Sequence, residues 1–578
     1  MPGVVLGLIL FLIFHSQISA VHRQSADTRT RVRLLSAWFG LALTFTPVLS
    51  GLLTVPPQFL FVTGLILVYP CLRVKVDRLA MRLGEVLAAL PATVPDPRLP
   101  AVIWSAALLF FLEANIGSFF LFHHLPHVQD SICQYFNAKV MAAGQLTAPA
   151  PLSPQAFAYQ YMIIAAGKWY SQYPPGHMVL LALGHLAGAP WLVNPLFGAL
   201  SVVLIFFIGR EIYGQNVGIL AMLLASVCPF LVFMASEFMN HVTTLFFIAL
   251  FMLCFILMFK NQGLAWGALG GIALGWAFTI RPLTTVALAA PFFSYGLARL
   301  LLGGENNRQY CRSFLALIVC SLAILALLAA YNQLTNGSFL RFGYEVYDPN
   351  DRLGFGQRTG GIHTVWTGLV QSLRNLNGLN YFLFGWPVPC LVFVAVAAAK
   401  GRTNWDLLLI LSFLANALVY VLYWYQDWCF GPRYMFESAA ALVLLTARGI
   451  TLLPGLVRDF VGADRSDVTH GYTLLLLIIC LAVSFTVYVP ASCRYFSDSF
   501  WEVDTTLASK LHDSGVKDAL VFVKSNYGAF LPQMNPWLDS PIVYARDRGP
   551  SKNKEVIERF PGRKVYLQAG NTVIPYRP

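Results

Sequence analysis

Ten residues from Asp130 to Lys139, DSICQYFNAK, set one carboxylate just past an apolar run that ends near Phe122, with no basic residue beside it. A lone acid in that place suits a general base acting on a hydroxyl. Other polar groups recur at the ends of apolar runs. KWYSQYPPGH holds Lys168 and Tyr173, and its two consecutive prolines stiffen the chain. ASEFMNHVTT holds Glu237, Asn240 and His241, TIRPLTT holds Arg281, and YQDWCFGPRYMFE holds Asp427, Arg433 and Glu437. The loop 332–380 is rich in Gly, Asp and Arg and carries Arg358 and His363. Guanidinium binds oxyanions bidentately and never loses its charge, so arginines at the mouth of an apolar cavity suit a phosphate. The set describes transfer of a group from a lipid phosphate to an alcohol. Asp130 would be the catalytic residue. Lys168, Tyr173, His241, Arg281, Arg433, Arg358 and His363 would contact the substrate or its lipid phosphate.

Each residue also has a structural reading. Asp130 can cap a helix starting at Ser131. Arg281 and Arg433 can snorkel to lipid headgroups. His241 near a helix start is more often structural, and Lys168 more often solvated. The Tyr and Trp residues of KWYSQY and YWYQDW can form an aromatic belt. Asn336-Gly-Ser has the form of an N-glycosylation sequon. What favours chemistry is the agreement of these segments on one side of a membrane.

That membrane follows from composition. Of 578 residues, 57% are hydrophobic and only 11% charged, and the mean hydropathy is +0.63. Globular chains carry about 25% charged residues. Apolar runs long enough to cross a ~30 Å hydrocarbon core recur throughout. They fall at 2–20, 34–54, 57–72, 101–122, 196–213, 217–234, 239–259, 263–280, 284–303, 313–331, 382–399, 406–424, 433–451 and 472–490, about 14 in all. The run 178–190 is short, carries His185 and is broken by Gly184, Gly188 and Pro190, so it reads as a helix lying on or dipping into the membrane surface. The net charge of +12 belongs first to topology and does not signal nucleic acid. The ten cysteines form no CxxC pair and no metal spacing, and imply no disulfide framework. Residues 1–20 lack a basic n-region, and Arg23, Arg29, Arg31 and Arg33 follow them. That order suggests a retained first span with its N-terminus outside.

With these spans, the loops 21–33, 73–99, 209–216, 260–262, 299–312, 400–406 and 448–468 carry 19 Lys/Arg, and the opposite loops carry 8. The positive-inside rule puts the first set in the cytoplasm. Asp130, the loop 332–380 and the C-terminal tail then face outward. The tail 494–578 contains three β-rich stretches, at 519–524, 541–545 and 564–568, after a helix-like TTLASKLHD. The expected fold is an all-α polytopic membrane protein with a small extracytoplasmic α/β domain. Residues 1–99 would hold three extra N-terminal helices and a cytoplasmic linker. Residues 100–492 would be the transmembrane core, with outer loops 123–195 and 332–380, and 493–578 the α/β cap.

The chain resembles the GT-C superfamily, polytopic glycosyltransferases that use polyprenyl-phosphate sugars. More narrowly, it is similar to bacterial relatives of protein O-mannosyltransferases and of the lipid A aminoarabinose transferase. The resemblance rests on PHVQDSICQYFNAKVMAAGQLT, SQYPPGH, SEFMNHVTT, IRPLTT and GPRYMFE, and covers about residues 100–455. Ser131 departs from it, standing where many relatives have Glu after the first Asp. The resemblance implies an inverting transfer from a polyprenyl-phosphate sugar to a glycan, lipid or protein hydroxyl, with Asp130 as base. It implies a bacterial inner (plasma) membrane, with the site facing the periplasm. The loop 332–380 would close over that site. No cofactor is certain, and a divalent metal stays open. Against this stand a transporter or flippase of lipid-linked saccharides, an O-antigen polymerase or ligase, and a non-catalytic scaffold. Mid-span positions carry few charges, which disfavours a transport path.

Overall fold

A computed structural model describes residues 76–86, 95–261, 263–302, 308–400, 402–461, 466–497 and 499–577. The expected spans 2–20, 34–54 and 57–72 lie outside these residues. The described chain is mainly helical, and seven of its helices are long and apolar enough to cross a membrane. They are Asp96–Phe120, Pro190–Tyr213, His241–Asn261, Pro282–Leu302, Arg308–Asn336, Arg433–Asp459 and Thr469–Glu502. The pair Gln215–Ser226 and Pro229–Ala235, bent by 54° at its break, makes an eighth if it forms one span. This is a multi-pass membrane protein.

Three expected spans form shorter apolar helices, Leu264–Phe278, Leu391–Lys400 and Asn404–Tyr420. The physical reasons are local. Pro282 disfavours helix at the residue before it and opens the next helix instead. The segment LFGWPVPC places Gly385, Pro387 and Pro389 ahead of Leu391, so the helix cannot begin until they are passed. The run 178–190 overlaps the helix Gly176–Leu186, 11 residues long.

The chain divides into two compact units. One comprises the described residues within 1–96, with 380–406 and 445–490. In it Tyr472 donates its hydroxyl to Asp77, and Gly449 lies against the backbone of Phe393. The other comprises 97–379, 407–444 and 491–578. Its helices Leu264–Phe278 and Arg308–Asn336 meet along Gly267 and Gly271, where a Cβ would collide with the carbonyls of Ser313 and Leu317. Small residues one turn apart let two backbones approach where lipid offers no hydrophobic drive to pair them.

The first loop of this second unit carries the helix Gln129–Ala142 and a small antiparallel sheet. Lys168–Ser171 is the sheet's middle strand, between Ala148–Pro149 and Met162–Ala165. The C-terminal segment forms a four-stranded sheet in the order Ile542–Arg546, Ala519–Val523, Lys564–Ala569, Thr572–Pro575. The first three strands are parallel and the last antiparallel. All five residues of Ala519–Val523 are buried, as a central parallel strand requires. Ile132, Phe136 and Trp169 of the first loop share one hydrophobic core with Leu507, Leu520 and Phe522. Lys139 adds polar anchors, donating to the carbonyls of Pro532 and of Met534, the latter at 2.9 Å.

Candidate active site

Asp130 lies in the first turn of Gln129–Ala142 but does not cap it. The cap position is Val128, whose own side chain makes no capping bond. Glu237 does that work from a distant segment. Its Oε1 accepts from the backbone N–H of His127 at 2.7 Å and of Val128 at 3.3 Å, and from Ser131 Oγ at 2.5 Å. The departure at Ser131 therefore has a structural partner. The hydroxyl meets a carboxylate that a glutamate at 131 would repel.

Relieved of capping, Asp130 turns its carboxylate to Arg433, whose Nη1 donates to Oδ2. Arg433 Nε donates to Asp427 Oδ1 at 2.7 Å and Nη2 to the Tyr434 hydroxyl at 3.2 Å. One buried guanidinium thus joins two carboxylates. The turn before it explains the placement. Phe430 and Gly431 both have positive φ, at 59° and 133°, which reverses the chain ahead of Pro432.

Arg281, mostly shielded from solvent, makes the second cationic centre. Its Nε lies 2.9 Å from Glu437 Oε1. Its Nη2 donates to the Tyr420 hydroxyl at 3.1 Å and its Nη1 to Asn240 Oδ1 at 3.4 Å. Both guanidiniums stand over the Tyr434 ring, at 4.9 Å for Arg433 and 5.7 Å for Arg281. Neither arginine snorkels.

Tyrosines complete the surroundings of Asp130. The Tyr173 ring meets Tyr161 at 6.0 Å and Tyr344 at 5.6 Å, both edge to face. Burial, with Asp130 nearby, pushes all three hydroxyls up and keeps them neutral donors. His241 is fully buried, with Arg281 and Arg433 as charged neighbours, and neither ring nitrogen has a hydrogen-bond partner among the described residues.

The other expected contacts are engaged elsewhere. Lys168 donates to the carbonyl of Leu334 at 2.7 Å, closing the C-terminal end of Arg308–Asn336, where the dipole favours a cation. Arg358 donates to carbonyls of its own loop, those of Arg352, Leu353 and Phe355 at 3.0 Å each. His363 is buried between the Val421 carbonyl at 3.0 Å and Thr367 Oγ1 at 3.1 Å. Tyr344, not Arg358 or His363, brings the loop 332–380 to Asp130. The sequon residue Asn336 accepts from the Tyr170 hydroxyl at 3.1 Å and donates to the Arg341 carbonyl at 2.9 Å.

Tyr173 is an expected substrate contact, but Asp427, Glu237, Glu437, Tyr161 and Tyr344 carry no assigned role in the sequence. Asp427 and Glu437 stand six residues before and four after Arg433, but only folding decides which acid takes which arginine. No three His, Cys, Asp or Glu side chains gather as a metal site among the described residues. Between Asp130 and Asp427, the position a cation would take holds the Arg433 guanidinium. These residues do not fit a divalent ion.

Burial pushes the Glu237 carboxyl up to about 7, against the pull of its bonds from Ser131, His127 and Val128. A carboxyl with a native pKa above its ordinary 4.5 binds its proton more tightly when folded. Its contribution to stability is full below the unfolded value and is lost as pH rises through about 7. Glu237→Gln keeps the accepting oxygen and removes the titration. Thermal melts are expected to place this variant above wild type at alkaline pH, with the gap closing in mild acid. A gap of constant size across that range would refute the assignment.

A family model described as dolichyl-phosphate-mannose-protein mannosyltransferase matches residues 178–331. This is less than a third of the chain, and it includes Glu237, His241 and Arg281 but not Asp130 or Arg433. Among solved structures, the chain is similar to ArnT from Cupriavidus metallidurans bound to undecaprenyl phosphate. Identity is 13%, coverage 82% of this chain and 93% of that one, and TM-score 0.49. It is also similar to the apo oligosaccharyltransferase of Archaeoglobus fulgidus, at 12% identity, with 81% and 69% covered and a TM-score of 0.46. The oligosaccharyltransferase AglB of the same organism, in complex with an inhibitory peptide and a dolichol-phosphate, gives 12%, 81%, 69% and 0.43. No curated protein matches.

Proposed function

We propose that this protein is a membrane glycosyltransferase of the GT-C type. It moves a sugar from a polyprenyl-phosphate donor to a hydroxyl of a glycan, lipid or protein acceptor, with inversion. The observation that carries the reading is the chain Asp130–Arg433–Asp427, built on a buried guanidinium, with Arg281 over the same tyrosine. The family match across 178–331 supports it, and so do the motifs around Asp130.

In this reading Arg433 has two occupants. Without donor it holds Asp130. The donor phosphate competes for the guanidinium and frees the carboxylate beside the site, so the base is released only when a donor is present. Asp130 then takes the acceptor hydroxyl's proton. The acceptor oxygen attacks the anomeric carbon from the face opposite the phosphate. The carbon–oxygen bond to phosphate breaks, and the phosphate leaves with the electron pair, neutralised by Arg433 and Arg281. A single base suffices because the phosphate needs no proton to leave. The neutral hydroxyls of Tyr161, Tyr173 and Tyr344 offer hydrogen bonds to the sugar. The asymmetry of loop charge supports a site on the outer face, and the resemblance to bacterial GT-C relatives suggests an inner membrane.

The test is purified protein in liposomes containing a labelled polyprenyl-phosphate hexose. Release of free polyprenyl phosphate, with the label on an acceptor or in water, is the expected result. Movement of the intact donor across the bilayer without cleavage would replace this reading with transport.

A further inference from the structure

The helix Val365–Phe382 buries the wrong face for a helix in water. Apart from Leu379, its inward residues are small or polar, with Gly368, Ser372, Asn375 and Gly378 all buried. Gly368 lies so close to the Val421 carbonyl that a Cβ would collide with it. Ser372 Oγ donates to the Ala417 carbonyl at 3.3 Å. The Asn375 amide donates to Gln426 Oε1 at 2.5 Å and its oxygen accepts from Trp428 Nε1 at 2.6 Å.

The outward residues are apolar. Val365, Trp366, Leu369 and Leu373 are exposed by 53%, 50%, 38% and 61%. At helical spacing the four share one arc. Single exposed apolar side chains are ordinary on soluble surfaces, but a continuous arc opposite a small, polar face is not. A third arc holds exposed Thr367, Arg374 and Asn377. Small residues toward protein, apolar ones toward acyl chains and polar ones toward water is the division an interfacial helix requires. The apolar arc also has a neighbour of its own kind. The helix Asn404–Tyr420, which Ser372 touches at Ala417, exposes Leu411, Leu414 and Leu418.

We infer that Val365–Phe382 lies in the bilayer surface, held in lipid by Val365, Trp366, Leu369 and Leu373. The bilayer then braces the segment that carries Asp427. Asn375 grips Gln426 and Trp428, the residues on either side of it, and Asp427 in turn holds Arg433. The loop 332–380 is thereby anchored in lipid rather than free in water. This inference does not depend on the proposed transfer reaction.

The test is spin labelling at Leu369→Cys, Leu373→Cys and, as the polar control, Arg374→Cys. The protein lacks its other reactive cysteines and sits in phospholipid nanodiscs. Collision with oxygen, which partitions into lipid, is compared with collision with a water-soluble nickel chelate. The oxygen-to-nickel ratio is expected to be several-fold higher at 369 and 373 than at 374. Nickel access at 369 and 373 equal to that at 374 would mean water covers the arc. Exclusion of both reagents would mean another protein surface does. Either overturns the inference. Val365→Cys and Trp366→Cys give the same comparison where a leucine variant does not fold.

Discussion

Asp130→Asn is expected to lower sugar release from a labelled polyprenyl-phosphate hexose at least about a hundredfold, the low end for losing a general base. Folded yield should be unchanged. The amide fills the same volume, and Arg433 keeps its bond to Asp427 at 2.7 Å. The comparison is made at equal monodisperse protein, with donor binding measured alongside release. Loss of release with donor binding kept marks a base. Equal release in both proteins would leave Asp130 as a structural partner of Arg433 and remove the proposed mechanism.

Arg433→Met is expected to be the most destabilising substitution at the site. The guanidinium is only 5% exposed and joins two carboxylates, Asp130 and Asp427. Breaking a buried ion pair by removing one partner costs about 3–5 kcal/mol, because the remaining charge is left uncompensated in low dielectric. Here two charges are left, facing each other. Thermal unfolding in detergent is expected to show a large fall in melting temperature and no sugar release. The double variant Asp130→Asn/Arg433→Met should recover part of that fall, since one of the stranded carboxylates is gone, yet remain inactive. A single variant that melts like wild type would show that the Asp130–Arg433–Asp427 chain is not a stabilising unit. Recovery of stability together with activity would exclude Asp130 as the base.

The sequence by itself determined that this is a multi-pass helical membrane protein, because low charge and repeated apolar runs leave no other way to bury the surface. It also marked the segments that meet at the site. Asp130, Arg281 and Arg433 stand at ends of apolar helices, where polar groups must collect. The β-rich stretches of the C-terminal segment were legible for a similar reason. A strand buried on both faces, such as Ala519–Val523, is a short continuous apolar run.

Helix length was harder to read, because hydropathy does not register the prolines that delay Leu391–Lys400 and end Leu264–Phe278. Only the tertiary structure decided the pairing of charges. Asp130 could cap its own helix or meet an arginine, and the choice fell to Glu237, 107 positions away in sequence, which takes the capping bonds. Lys168, Arg358 and His363 looked like substrate contacts because they are polar residues in outer loops. In the folded chain each satisfies a carbonyl that would otherwise be left bare. Whether a cation serves a ligand or the backbone depends on which oxygen lies within 3 Å, and sequence spacing does not carry that distance.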